Sequence, residues 1–126
     1  AVHNFPQNYS FRWIKDFAKS FDKYYEETSL PNIIETVGLL DYFNDEKVEE
    51  FFSYVYKFLQ PEGVFITANI ADNPEREFVT DLVGWKMIYR QPEEFYEIAT
   101  KVGFKKENIK IILEPLKIHF VMIAKK

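Results

Sequence analysis

The chain has 126 residues, room for one domain with one sizeable core, and its 47% apolar and 18% aromatic content excludes a disordered tail. Its 16 basic residues are outnumbered by 20 acidic ones, net −4, and its lysines sit beside Glu or Asp, so no basic stripe for nucleic acid is present. The absence of cysteine excludes disulfides, a thiol nucleophile and thiolate metal sites.

His3 and His119 are far apart and lack metal-ligand spacing, so no metal is expected. His119 falls in an apolar run and reads as a strand residue. No stretch approaches the roughly 20 apolar residues of a membrane span, and the start has no signal-peptide pattern. A cytoplasmic protein is the expectation. The first residues are Ala-Val without methionine, as in a processed or cut piece.

In chain order, Phe11, Ile14, Phe17, Ala18, Phe21, Tyr24 and Tyr25 recur at three and four, predicting an amphipathic helix over 11–25 with Ser10 as its cap. Residues 26–32 read as a loop. Ile33 to Leu40 is apolar without alternation, predicting a parallel strand covered on both faces. Asn44 caps a helix with Asp45 and Glu46 in its first turn and a stripe of Val48, Phe51, Phe52, Val55, Phe58 and Leu59. Gln60-Pro61-Glu62-Gly63 stops it.

Val64 to Ile70 is a second buried strand, completing a right-handed strand-helix-strand crossover. Asn73-Pro74 opens a third helix, with Phe78, Val79, Leu82 and Val83 inside it and Gly84 at its end. Gln91-Pro92-Glu93-Glu94 opens a fourth, packed through Phe95, Ile98, Ala99 and Val102 and closed by Gly103. Ile109 to Leu113 and Ile118 to Ala124 are strands joined by only four residues, so they form an antiparallel hairpin.

This order of elements resembles the C-terminal half of a class I S-adenosylmethionine-dependent methyltransferase. "ETVGLLDYF" looks like the family's fourth strand and loop, and "FLQPEGVFITANI" like its L-x-P-G-G turn and fifth strand, with Glu62 where glycine is usual. "DLVGWKMIYRQPEEFYEIATKVGF" is similar to a segment of a bacterial subgroup, and the final hairpin fits the last two strands. The resemblance implies an α/β fold, part of a Rossmann-like unit: a mixed sheet of about four strands, two parallel and then an antiparallel hairpin, with flanking helices. Residues 1–32 would be an N-terminal helical segment and 33–126 the C-terminal half of the domain.

The family holds its cofactor with a glycine-rich loop, yet the four glycines here (38, 63, 84 and 103) are too far apart to build one. The resemblance therefore implies S-adenosylmethionine in the complete enzyme and no tight binding by this chain alone.

Ligands of open α/β sheets bind beyond the carboxyl ends of parallel strands. Gly38 and Leu39 would then border the cofactor, and Asp41 and Tyr42 are the local candidates for a catalytic base. The alternative is that Gly38 eases a turn, Asp41 helps cap the helix and Tyr42 packs. Asn69, Trp85, Tyr89 and Arg90 would face a small-molecule or lipid-like methyl acceptor. The competing reading gives Asn69 backbone partners, packs Trp85 on the core and pairs Arg90 with Glu93 or Glu94. A non-enzymatic half-Rossmann module is the other functional class. Strand 33–40 would then be an exposed sheet edge joining two copies in a homodimer, unless helix 11–25 covers it.

Overall fold

The computed structural model describes residues 12–25 and 29–126. The expected cap at Ser10 and the first helical position, Phe11, lie outside the described residues. Within 12–25 the chain makes only a 3-10 stretch, Ala18–Tyr24. The reason lies in Asp16, whose Oδ1 accepts from Phe17 N at 2.7 Å and whose Oδ2 accepts from the Tyr24 hydroxyl at 2.7 Å. An α-helix would hold residues eight apart about 12 Å apart along its axis, so this contact excludes one. The Tyr24 hydroxyl, then the Phe17 amide, hold the Asp16 carboxyl below its ordinary range.

Strand β1 is Ile33–Thr36, four residues shorter than the apolar run suggests. The chain leaves the strand through Gly38, at φ 73, and enters a 3-10 turn at Leu40–Tyr42. Helix α1, Asp45–Phe58, starts at Asn44, whose side chain accepts from Lys47 N at 3.0 Å. Strand β2 is Val64–Ile70, as expected, and helix α2 is Pro92–Val102. The N-terminus of α2 is a capping box between Gln91 and Glu94. Strands β3, Ile109–Leu113, and β4, His119–Lys125, form the closing hairpin.

The four strands lie in the order β1-β2-β4-β3. β1 and β2 are parallel, with Thr36 opposite Thr67, and β4 runs antiparallel to both β2 and β3. One face of the sheet carries Phe65, Phe120, Met122 and Ala124, all buried under the two helices. Phe52 of α1 sits edge-on to Phe65 at 5.1 Å and to Phe95 of α2 at 5.2 Å, and Phe95 meets Phe120 at 5.1 Å. The other face carries Ile33, Ile66, Ile112 and Ile123, which are partly or largely exposed. Among the described residues β1 is an edge strand, and with Ile33 62% exposed it is not covered on both faces.

The third expected helix is reduced to a short turn ending in a single π turn, Phe78–Leu82, where Val83 N donates to Phe78 O at 3.2 Å. None of its residues is buried. Its apolar spacing is helical, but Phe78, Leu82 and Val83 meet no core and remain exposed, so packing adds nothing to extend the helix.

Candidate functional site

The carboxyl ends of β1 and β2 point the same way, and the residues that leave them form a rim. Gly38 lies just beyond β1, and Asn69 lies two residues past the Thr36–Thr67 pairing on β2. A Cβ built on Gly38 would meet nothing within 4 Å. Glycine is therefore needed there for its left-handed φ and not for a close approach. Close approach occurs at Gly63 instead, where a Cβ would fall 2.8 Å from Leu59 Cγ and 2.9 Å from Gln60 O.

Leu40 is fully buried and pins the turn after Gly38 to the core. The next residue, Asp41, is buried too. Its Oδ1 accepts from Ile70 N at 2.7 Å, and its backbone carbonyl accepts from Ile88 N at 2.7 Å. The rim turn is thus joined both to the end of β2 and to the stretch leading into α2.

Arg90 is 1% exposed and lies at the centre of this junction. Its Nε donates to Asp45 Oδ1 at 3.0 Å, and its Nη2 reaches the same oxygen at 2.9 Å. Nη1 donates to Leu40 O and to Asn69 Oδ1, each at 3.1 Å, and Nη2 also donates to Phe43 O. Four of the five N–H groups that a guanidinium has are thus hydrogen-bonded to protein atoms, and the charge is paired with Asp45. The pairing with Glu93 or Glu94 is replaced by one with Asp45, 45 residues away; Glu94 instead accepts from Gln91 N. Burying a cation without a partner is prohibitive, so the Asp45 carboxylate, itself 72% exposed, is what permits Arg90 to sit inside.

Asn69 is also turned inward. Its Nδ2 donates to Ile70 O at 2.9 Å and Ile88 O at 3.0 Å, while its Oδ1 takes the Arg90 bond. Asn69 and Arg90, two of the four residues expected to face an acceptor, are thus engaged by protein atoms. Tyr42 and Trp85 face outward, 51% and 54% exposed, and the Trp85 indole N–H donates to the Tyr42 hydroxyl at 2.8 Å. Tyr89 packs under the Arg76 guanidinium, 4.9 Å from its ring centroid, and its buried hydroxyl has no hydrogen-bond partner among the described residues. Leu39 is half-buried beside Gly38.

The structure therefore gathers Gly38, Leu39, Asp41, Tyr42, Asn69, Trp85 and Arg90 at one end of the sheet. Asp45 is the member that sequence reading missed. Its only signal, an acid in a helix first turn, is fully explained by the helix dipole. A separate cavity of about 320 Å³ lies between the 18–24 stretch and α1, bounded by Phe17, Phe43, Phe51 and Tyr54 with Lys47 and Glu50. Burial, reinforced by Asp22, pushes the Tyr54 phenol up to about 12. Among the described residues no group of three His, Asp or Glu side chains could hold a metal, and no helix is long and apolar enough to cross a membrane.

Comparison with family models and with curated proteins finds no match. Solved structures do match. Human N-acetylserotonin methyltransferase, in complex with S-adenosylmethionine, aligns over 95% of this chain and 36% of its own, at 14% identity and a TM-score of 0.64. Magnesium protoporphyrin IX methyltransferase from Synechocystis, with bound S-adenosylhomocysteine, aligns over 75% of this chain and 44% of its own, at 9% identity and TM-score 0.57. An O-methyltransferase family protein from Burkholderia thailandensis aligns over 75% and 30%, at 10% identity and TM-score 0.56. The chain thus spans between 30% and 44% of the length of these proteins. What it shares with them is a fold: a mixed four-stranded α/β sheet with flanking helices, as in part of the S-adenosylmethionine-dependent methyltransferases.

Proposed function

We propose that this chain forms one wall of the active site of an S-adenosylmethionine-dependent methyltransferase, completed by protein that carries the glycine-rich cofactor loop. The observation that carries this reading is the shared rim. Gly38, Tyr42 and Trp85 lie beyond, and Asn69 near the end of, two parallel strands of a sheet whose antiparallel end has the methyltransferase arrangement.

When bound, the cofactor supplies a methyl group on a sulfonium. The fit on this chain is one-sided. Open space over Gly38 lets a ligand approach the backbone, with Leu39 beside it, but the glycine-rich loop and ribose-binding acid must come from elsewhere. Gly38 and Leu39 would border the donor. The Tyr42 hydroxyl accepts the Trp85 indole N–H and so retains its own proton to donate to an acceptor oxygen or nitrogen. The Trp85 face offers a surface to the acceptor or to the sulfonium charge. Asp41, with one oxygen engaged by Ile70, is the carboxylate next to Tyr42 in the chain and the candidate base. Asn69 and Arg90 would hold the rim from behind. Rate enhancement would come chiefly from aligning donor and acceptor. A small or lipid-like acceptor met in the cytoplasm is part of this reading.

Calorimetric titration with S-adenosylmethionine tests it, using this chain and the same chain extended by its upstream coding sequence. The extended protein is expected to bind with micromolar affinity and to transfer a labelled methyl group to members of an acceptor panel. Tyr42→Phe should slow that transfer by about 10²-fold. An extended protein that folds and does not bind the cofactor overturns the proposal.

A second reading is favoured by β1, which has one neighbour in the sheet among the described residues and exposes Ile33, with Val37 exposed just beyond its end. Its open edge would accept another strand, making the chain an interaction module that forms a homodimer. Sedimentation velocity should then show concentration-dependent dimers; a strict monomer at all concentrations removes this alternative.

A further inference from the structure

Building on the rim reading above, we propose that Arg90 is a positioning residue: its buried guanidinium sets the 40–43 turn and, through it, the outward-facing Tyr42–Trp85 pair. Leu40 O and Phe43 O are the two ends of that turn, and both accept from Arg90. Tyr42 lies between the two clamped carbonyls. A guanidinium is a planar, rigid fork, so the acceptors it holds are fixed in relative position as well as attracted.

The Trp85 side hangs from the same hub by another route. Arg90 Nη1 holds Asn69 Oδ1, Asn69 Nδ2 holds Ile88 O, and Ile88 N returns to Asp41 O within the clamped turn. Trp85 is three residues before Ile88 and is itself more than half exposed, so little core packing fixes its ring. Its position rests on this tie, on its backbone N–H to Val79 O at 3.1 Å and on the 2.8 Å bond to Tyr42.

Stability alone does not account for such a device. A buried ion pair is seldom more stabilising than well-packed apolar side chains of similar volume. What the cation adds is direction: four hydrogen bonds to four residues, joining the 40–45 stretch to Asn69 on β2.

The test uses the 126-residue chain with Trp13→Phe throughout, because Trp13 is exposed and would mask Trp85 emission. Arg90→Lys retains the charge and loses the planar fork. The expected result is a rise of about twofold in acrylamide quenching of Trp85, with the Ile70 and Ile88 amides exchanging at least ~10-fold faster and the α1 and α2 amides unchanged. Tyr42→Phe calibrates the quenching of an unlatched indole. Val55→Ala, brought to the same melting temperature by its assay conditions, supplies the control for general loosening. The proposal falls if Arg90→Lys leaves Trp85 unmoved, or if Val55→Ala moves it equally. Should Arg90→Lys fail to fold, the unsubstituted rim answers instead: in mild urea the Phe43, Ile70 and Ile88 amides must open with one common free energy, and independent opening overturns the hub. None of these readouts involves S-adenosylmethionine, so failure of the hub and failure of methyl transfer are separately visible.

Discussion

Replacing Asn69 with alanine tests the rim network most directly. The side chain is fully buried and makes three hydrogen bonds. Its loss deprives Arg90 Nη1 of one acceptor, a bond to a charged group worth about 1.5–3 kcal/mol. It also strips Ile88 O of the Nδ2 donor, at about 1–3 kcal/mol if that acceptor stays buried. Ile70 O retains its bond from Arg90 N at 3.1 Å, so it adds little. The expected cost is about 3–5 kcal/mol, a large part of the ~5–15 kcal/mol that holds a domain together. Urea unfolding followed by Trp85 emission in the Trp13→Phe background would read it as a lowered midpoint with an unchanged slope. Asn69→Asp keeps the acceptor for Arg90 and loses both donors, so it should fall between alanine and the parent. A loss below ~1 kcal/mol for Asn69→Ala would mean that water satisfies these groups. Asn69 would then border an open cleft, and the network would not be a sealed unit.

Three further outcomes follow from local geometry. Gly38 is left-handed in open space, so Gly38→Ala should cost about 1–2 kcal/mol in thermal unfolding and Gly38→Asn less; equal costs would place the strain elsewhere. Glu62 sits at φ 64 with only an exposed pair to Lys125, so Glu62→Gly should stabilise by about 0.5 kcal/mol in high salt, and a loss above ~1 kcal/mol would refute this. Backbone amides of Leu116 and Ile118 hold the Glu114 carboxyl below its ordinary 4.5. A depressed folded pKa contributes stability that is fully present above 4.5 and is lost as pH falls through the lowered value. Thermal melts from neutral pH to below that value should therefore show an acid loss of stability that Glu114→Gln removes; identical pH profiles would exclude the hairpin as its source.

Short-range chemistry was legible in advance. Asn44 capping α1, Pro92 opening α2, the Phe52–Val55–Leu59 stripe and the four-residue hairpin link each depend on neighbours within one or two turns. The same holds for β2, where a continuous apolar run coincides with a strand pairing on both sides. Errors arose where a local pattern lacked a tertiary partner. Helical spacing at Phe78, Leu82 and Val83 yields one exposed π turn, and Asp16 captures Tyr24 where a helix over 11–25 was expected.

The rim divides the same way. Gly38 could be recognised as the exit from a strand because its role is its own φ, and the strand-helix-strand order of apolar runs placed it and Asn69 at the ends of neighbouring parallel strands. That Arg90 turns away from solvent to meet Leu40, Phe43, Asp45 and Asn69 depended on bringing together residues 21 to 50 positions apart. Patterns along a chain report which face a residue prefers, because burial of apolar area acts on each side chain singly. Which polar groups satisfy one another inside is a joint property of the assembled packing, where every buried donor must find an acceptor.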